Sequence, residues 1–188
     1  MKKYMIVMAL ATLTACGGED KKMDDAKQTT PIAQSKNSEE FNNSFATFLD
    51  QYYRLKDALV LTNDTLANSS AKALATTAEN FPAGAFAGDS SIAQMATSYI
   101  QSIAAEANGL VGEKTIDAKR KSFQMISDNM YDLVRTVRYD RETVYHQYCP
   151  MAFNDAGAYW LSKTSDIKNP YFGKKMLTCG EVKDSLSF

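Results

Sequence analysis

From Phe41 onward the large apolar residues Phe41, Phe45, Phe48, Tyr52, Leu55 and Leu59 recur at alternating spacings of four and three, which puts them on one face of a helix. A strand cannot use that period, because its side chains alternate between two faces. Ser38 stands where an N-cap is wanted, and Glu39 and Glu40 place negative charge in the first turn, so the spacing predicts a helix over 39–61. "LTNDTLANSS" interrupts it. Ala67, Ala71, Leu74 and Ala78 then define a second helix with a small-residue face, stopped by Asn80 and Pro82. Ser90 or Ser91 caps a third helix carrying Ile92, Met95, Tyr99, Ile103 and Ala107, with Asn108-Gly109 as its expected end. Thr115 caps a fourth, with Ile116, Phe123, Ile126, Met130, Leu133 and Val137 at helical spacing. The exposed charges, Lys119-Arg120-Lys121 among them, read as a solvated face. Four amphipathic helices with short links predict a mainly α fold, an up-down-up-down four-helix bundle over about 38–140.

After Asp140 the texture changes. "ETVYHQYCP", "GAYWLS" and, more weakly, "GEVKDSLSF" are β-branched and aromatic, with Asn154-Asp155, Gly157, Asn169-Pro170 and Gly173 between them. The tail, about 141–188, is therefore expected to form a small antiparallel β element of two or three short strands packed on the bundle. Together the two parts make a single domain over 38–188.

The amino terminus reads as a signal peptide over 1–15: Met1-Lys2-Lys3, then the apolar run "YMIVMALATLTA". Leu13-Thr14-Ala15-Cys16 resembles the bacterial lipobox, in which the cysteine is lipidated and becomes the first mature residue. Residues 16–37 are then the lipidated Cys16 and a polar, flexible tether that lacks the apolar side chains to order itself. Gly17 after the cysteine lacks the aspartate that retains such proteins at the inner membrane. The expectation is an outer-membrane lipoprotein facing the periplasm or the cell surface, held to the membrane by its lipid anchor. With 21 basic and 22 acidic residues and no basic block, nucleic acid is not an expected partner.

The single histidine, His146, removes several chemistries. Carboxylate-bridged di-iron bundles need two Glu-x-x-His motifs, and the zinc hydrolase pattern needs two histidines. No Gly-rich phosphate loop, G-x-S-x-G elbow or Cys-x-x-Cys pair occurs. The chain is expected not to be an enzyme.

With Cys16 assigned to lipid, Cys149 and Cys179 remain in an exported chain, where a pair of cysteines defaults to a disulfide. Such a bridge would close a loop of about 30 residues and contribute roughly 3–4 kcal/mol. The rival reading is a soft-metal site. Cys149 and Met151 share a face of an extended strand, while Met176 and Cys179 share a face of a helical turn. Two thiolates and two thioethers suit Cu(I) or another soft metal ion. His146 points away from Cys149 in a regular strand, which makes it an auxiliary ligand at most.

The motifs Cys149-Pro150-Met151, Gly157-Ala158-Tyr159-Trp160-Leu161-Ser162, Asn169-Pro170-Tyr171-Phe172-Gly173 and Met176-Leu177-x-Cys179-Gly180, with "YYRLKDALV" at Tyr52 to Val60, resemble a bacterial exported family. It is catalogued as domain of unknown function 3347. Similar domains are found joined to heavy-metal-associated domains or to adaptors of metal-efflux pumps. The resemblance implies copper or soft-metal handling, with a metal-efflux adaptor or a metallochaperone as partner, and it supplies no catalytic residue. Both readings of the sulfur residues stand: a metal-handling envelope protein, or a structural and interaction module of the envelope with a Cys149–Cys179 disulfide and no metal.

Overall fold

Helix α1 spans Glu39–Val60, and Ser38 Oγ accepts a hydrogen bond from the Phe41 N–H, which satisfies one of the free donors of the first turn. The computed structural model describes residues 36–86 and 90–188. The expected signal peptide, the expected lipidation site Cys16 and most of the expected tether lie outside the described residues. Helix α2 spans Asp64–Glu79 and starts before its first buried alanine, because Asn63 Oδ1 accepts from the Leu66 N–H. Helix α3 spans Ser90–Gly112. Helix α4 spans Ile116–Val137, with Thr115 Oγ1 accepting from the Ala118 N–H and Arg138 turning left-handed to end it.

Two details differ from expectation, for one reason. Helix α3 runs past Asn108-Gly109 because Leu110 is fully buried and Lys119 Nζ donates to the carbonyls of Leu110 and Glu113. Its last turn is thus capped by a cation from the next helix. Lys119 is accordingly 1 % exposed, and Arg120 is buried beside it, so only Lys121 of the triplet belongs to the solvated face.

Each helix packs on its successor. Ala67, Ala71, Ala75 and Ala78 of α2 lie in the core, and side chains this small let α2 approach both neighbours closely. The seam between α1 and α4 is instead filled by rings. Tyr52 stacks on Phe123 at a centroid distance of 5.4 Å, and burial of each such side chain contributes about 2–3 kcal/mol. The Tyr52 phenol oxygen is shared with Ser127 Oγ of α4 at 2.8 Å and accepts the Leu161 N–H from the tail at 2.9 Å. One buried hydroxyl therefore ties α1, α4 and the tail together.

The tail forms three antiparallel strands, β1 (Val144–Cys149), β2 (Ala158–Ser162) and β3 (Glu181–Leu186), in the order β2-β1-β3. Between β1 and β3 the register shifts at His146/Gln147. Cys149, Trp160, Leu161 and Tyr171 belong to the same buried cluster as Phe123 and Ile126, so bundle and tail share one core.

Candidate functional site

The pairing of β1 with β2 sets Gln147 opposite Trp160 and Cys149 opposite Ala158, all four buried. This face is covered by the loop from Lys163 to Gly180. The Gln147 side-chain amide donates to the carbonyls of Thr164 and Asp166, at 3.0 and 3.2 Å. Asn169, fully buried, organises the rest. Its Nδ2 donates to the Cys179 carbonyl at 2.7 Å, its Oδ1 accepts from the N–H groups of Tyr171 and Phe172, and its own N–H donates to the Leu177 carbonyl. Such an Asx arrangement bends the chain without help from regular structure. Arg120 Nε holds the loop to α4 through the Pro170 carbonyl at 2.9 Å.

Two glycines make the closure possible. At Gly173 (φ 58) a Cβ would meet Thr62 Oγ1 at 2.4 Å and the Val60 carbonyl at 2.8 Å, so the loop can touch the end of α1 only without a side chain there. At Gly180 (φ 144) a Cβ would meet the Tyr148 carbonyl at 2.8 Å.

The result is that Cys149 and Cys179 meet. Their sulfur atoms lie 3.2 Å apart as free thiols, one at the end of β1 and the other just before β3. Cys149 is fully buried, while Cys179 is half-buried. The hydrogen bond between the two sulfurs, with desolvation behind it, raises the Cys179 thiol above its ordinary value. A thiol held protonated is a poor nucleophile, which lowers the reactivity of Cys179 at neutral pH.

The other sulfur residues go elsewhere. Met151, 46 % exposed, and Met176 line a cleft of about 700 Å³ that neither cysteine lines. The turn that carries Met151 is unusual: Phe153, Asn154 and Asp155 follow one another in the left-handed region, at φ 52, 59 and 64. That conformation costs about 1–2 kcal/mol per residue, least for the asparagine and aspartate and most for the phenylalanine.

His146 stands on the opposite face of the sheet. Its ring lies between Tyr131 at 3.8 Å and Tyr159 at 4.6 Å, and Tyr159 continues to Tyr148 at 4.4 Å. Arg135 covers the Tyr131 end of this column and Lys183 the Tyr148 end. Burial pushes the imidazole down to about 4, so it is neutral at physiological pH. The structure thus gathers Cys149 with Cys179 and Met151 with Met176, and leaves His146 with the rings.

As a donor set, the cysteine pair offers two thiols in contact. Among the described residues no group of three or more His, Cys, Asp or Glu side chains is placed to hold a metal ion. Two sulfurs cannot fill the tetrahedron that structural zinc requires; thiolates are the donor type a soft ion such as Cu(I) takes, and from 3.2 Å the two would have to part to admit one between them. No helix among the described residues is long and apolar enough to cross a membrane.

A family model described as Protein of unknown function (DUF3347) matches residues 48–142, half of the chain. The chain belongs to the DUF3347 family. The match takes in most of α1 and all of α2 to α4, and ends just before β1, so the sulfur-bearing tail of this DUF3347 protein lies beyond the matched segment. No curated protein and no solved structure matches the chain. Two residues that matter to the site, Asn169 and Arg120, were not singled out by sequence reasoning. Asn169-Pro170 is a turn signal, but nothing in it says that the asparagine is buried. Arg120 sits in a charged triplet whose inward members the spacing does not reveal.

Proposed function

We propose that this DUF3347 protein is a non-enzymatic, lipid-anchored protein of the cell envelope that takes up a soft cation, Cu(I) foremost, at the Cys149–Cys179 pair. One observation carries the reading: two thiols from distant segments are brought into contact by a loop with its own buried scaffold. Cys149 and Cys179 would hold the ion, and a bound Cu(I) would supply only a strong pair of metal–sulfur bonds. Asn169 keeps the Cys179 backbone in place, and the covering loop excludes water from Cys149. Met151 and Met176 do not complete the pair. They line a separate cleft that neither cysteine lines. A metal-efflux adaptor or a metallochaperone is the partner this role calls for.

The test is a competitive Cu(I) titration of the reduced protein against a chromogenic chelator. One ion per chain at submicromolar affinity, abolished in the Cys149→Ser/Cys179→Ser variant, is the expected result. Affinity no better than micromolar, or unchanged in that variant, would sink the reading.

The complete burial of Cys149 and the 3.2 Å contact also support a second reading, an envelope interaction module stapled by a Cys149–Cys179 disulfide without metal. Counting free thiols on protein taken directly from the envelope separates the two. Two reactive thiols argue against the staple, and none argues for it. A bridge that opens under mild reduction would let one pair serve both states.

A further inference from the structure

The cleft that holds Met151 and Met176 is lined from three directions: the first turns of α4, the left-handed turn, and the segment from Tyr171 to Met176. Its volume, about 700 Å³, is that of a small-molecule site. Four of its walls are apolar and partly exposed: Met151, Phe153, Phe172 and Met176. Thioethers and phenyl rings in a concavity suit a flat ring, which the methionines can follow in shape.

The charges around it are unequal. Asp117 is engaged by Arg120 Nη1 at 2.9 Å, and the Arg120 guanidinium is further held by Pro170, Thr62 and Leu59. Lys121 and Lys175 are exposed and have no ion-pair partner among the described residues. Only the Asp155 carboxylate stands against these two ammonium groups at the cleft. Backbone strain falls at the same place, since Phe153, Asn154 and Asp155 all line the cleft in the left-handed conformation. Strain of this kind collects at ligand clamps, where the surrounding structure holds it.

We propose that this cleft binds a small aromatic molecule carrying one anionic group, with the ring against Met151, Phe153, Phe172 and Met176 and the anion between Lys121 and Lys175. A single charge fits better than two, because Asp155 would repel a second. The site is separate from the cysteine pair, so it stands or falls independently of metal binding.

The probe is 8-anilinonaphthalene-1-sulfonate, titrated by fluorescence into the folded protein at neutral pH. One saturable site is expected, and Lys121→Glu/Lys175→Glu weakens it by about tenfold or more while leaving the melting temperature in place, as both side chains are exposed. The uncharged analogue N-phenyl-1-naphthylamine binds more weakly and is indifferent to that double variant. Met151→Trp, which fills the cleft, weakens both probes. Absence of a saturable site, sulfonate affinity unchanged in the double variant, or binding unaffected by Met151→Trp overturns the proposal.

Discussion

Asn169 has no charge and no catalytic chemistry, yet it fixes the position of Cys179 and turns the chain at Tyr171 and Phe172. Asn169→Ala leaves a carbonyl and two N–H groups without this partner in a buried setting, and is expected to lower the unfolding free energy by roughly 2–4 kcal/mol in a urea titration. Asn169→Asp keeps the acceptor but sets a buried carboxylate oxygen against the Cys179 carbonyl, so at neutral pH it should cost at least as much as alanine. His146 makes a different prediction. Its folded value near 4 lies below the ordinary 6.5, chiefly through burial, with Asp184 opposing and Arg135 assisting. The unfolded chain therefore binds a proton first as the pH falls, and stability is full above pH 6.5 and drains away down to about pH 4. Because the ring is partly exposed, solvent screening limits the loss to about 1 kcal/mol. His146→Phe keeps the ring column and should flatten that part of the stability profile, measured by chemical denaturation across the same pH window.

At the scale of elements, the capping of α3 by a lysine of α4 gives a sharp contrast between near neighbours. Lys119→Met retains the packing of the stem but strips the carbonyls of Leu110 and Glu113 of their donor, and should cost roughly 1–2 kcal/mol. Lys121→Met, two residues on and exposed, should be close to neutral when the two thermal midpoints are compared. That contrast also marks how far the sequence could be read. The four helices, the caps Ser38 and Thr115 and the three strands were legible, because apolar periods of 3.6 and 2 and cap-forming residues are local properties of the chain, whereas Ser90, expected as a cap, is already the first residue of α3. Which members of Lys119-Arg120-Lys121 turn inward was not, since their partners are carbonyls on α3 and in the loop, invisible to any local pattern. The sulfur pair was legible as a pair, from the cysteine count and the expectation of an exported chain. Its scaffold was not: Asn169 works through side-chain to backbone bonds that have no period. The left-handed turn was legible only in part, for Asn154 and Asp155 tolerate that conformation and Phe153 gives no hint of it.

Across the whole molecule, the shared core means that the bundle is incomplete without its tail. Tyr52 needs Leu161, Phe123 meets Tyr171, and Arg120 holds Pro170. A chain ended at Asp140 should keep much of its helical far-UV circular dichroism but lose its near-UV signal and its cooperative melting, the mark of helices without fixed packing. A cooperative transition in that shortened chain would show that the core divides after all. The same continuity explains why a loop whose regular structure is one 3-10 turn, Gly173–Met176, can hold Cys179 against Cys149: it leans on α1 at Gly173, on α4 at Arg120 and on the sheet at Gln147.

The chain contains one tryptophan, Trp160, fully buried on the face that carries Cys149, with its ring close against Gly180, the residue after Cys179. Nature has thereby placed a lone fluorophore beside the sulfur pair. Thiol, disulfide and metal–thiolate each quench indole emission to a different extent at short range. An emission reading, with no label and no second tryptophan to subtract, is therefore expected to change when that pair is oxidised or takes up an ion.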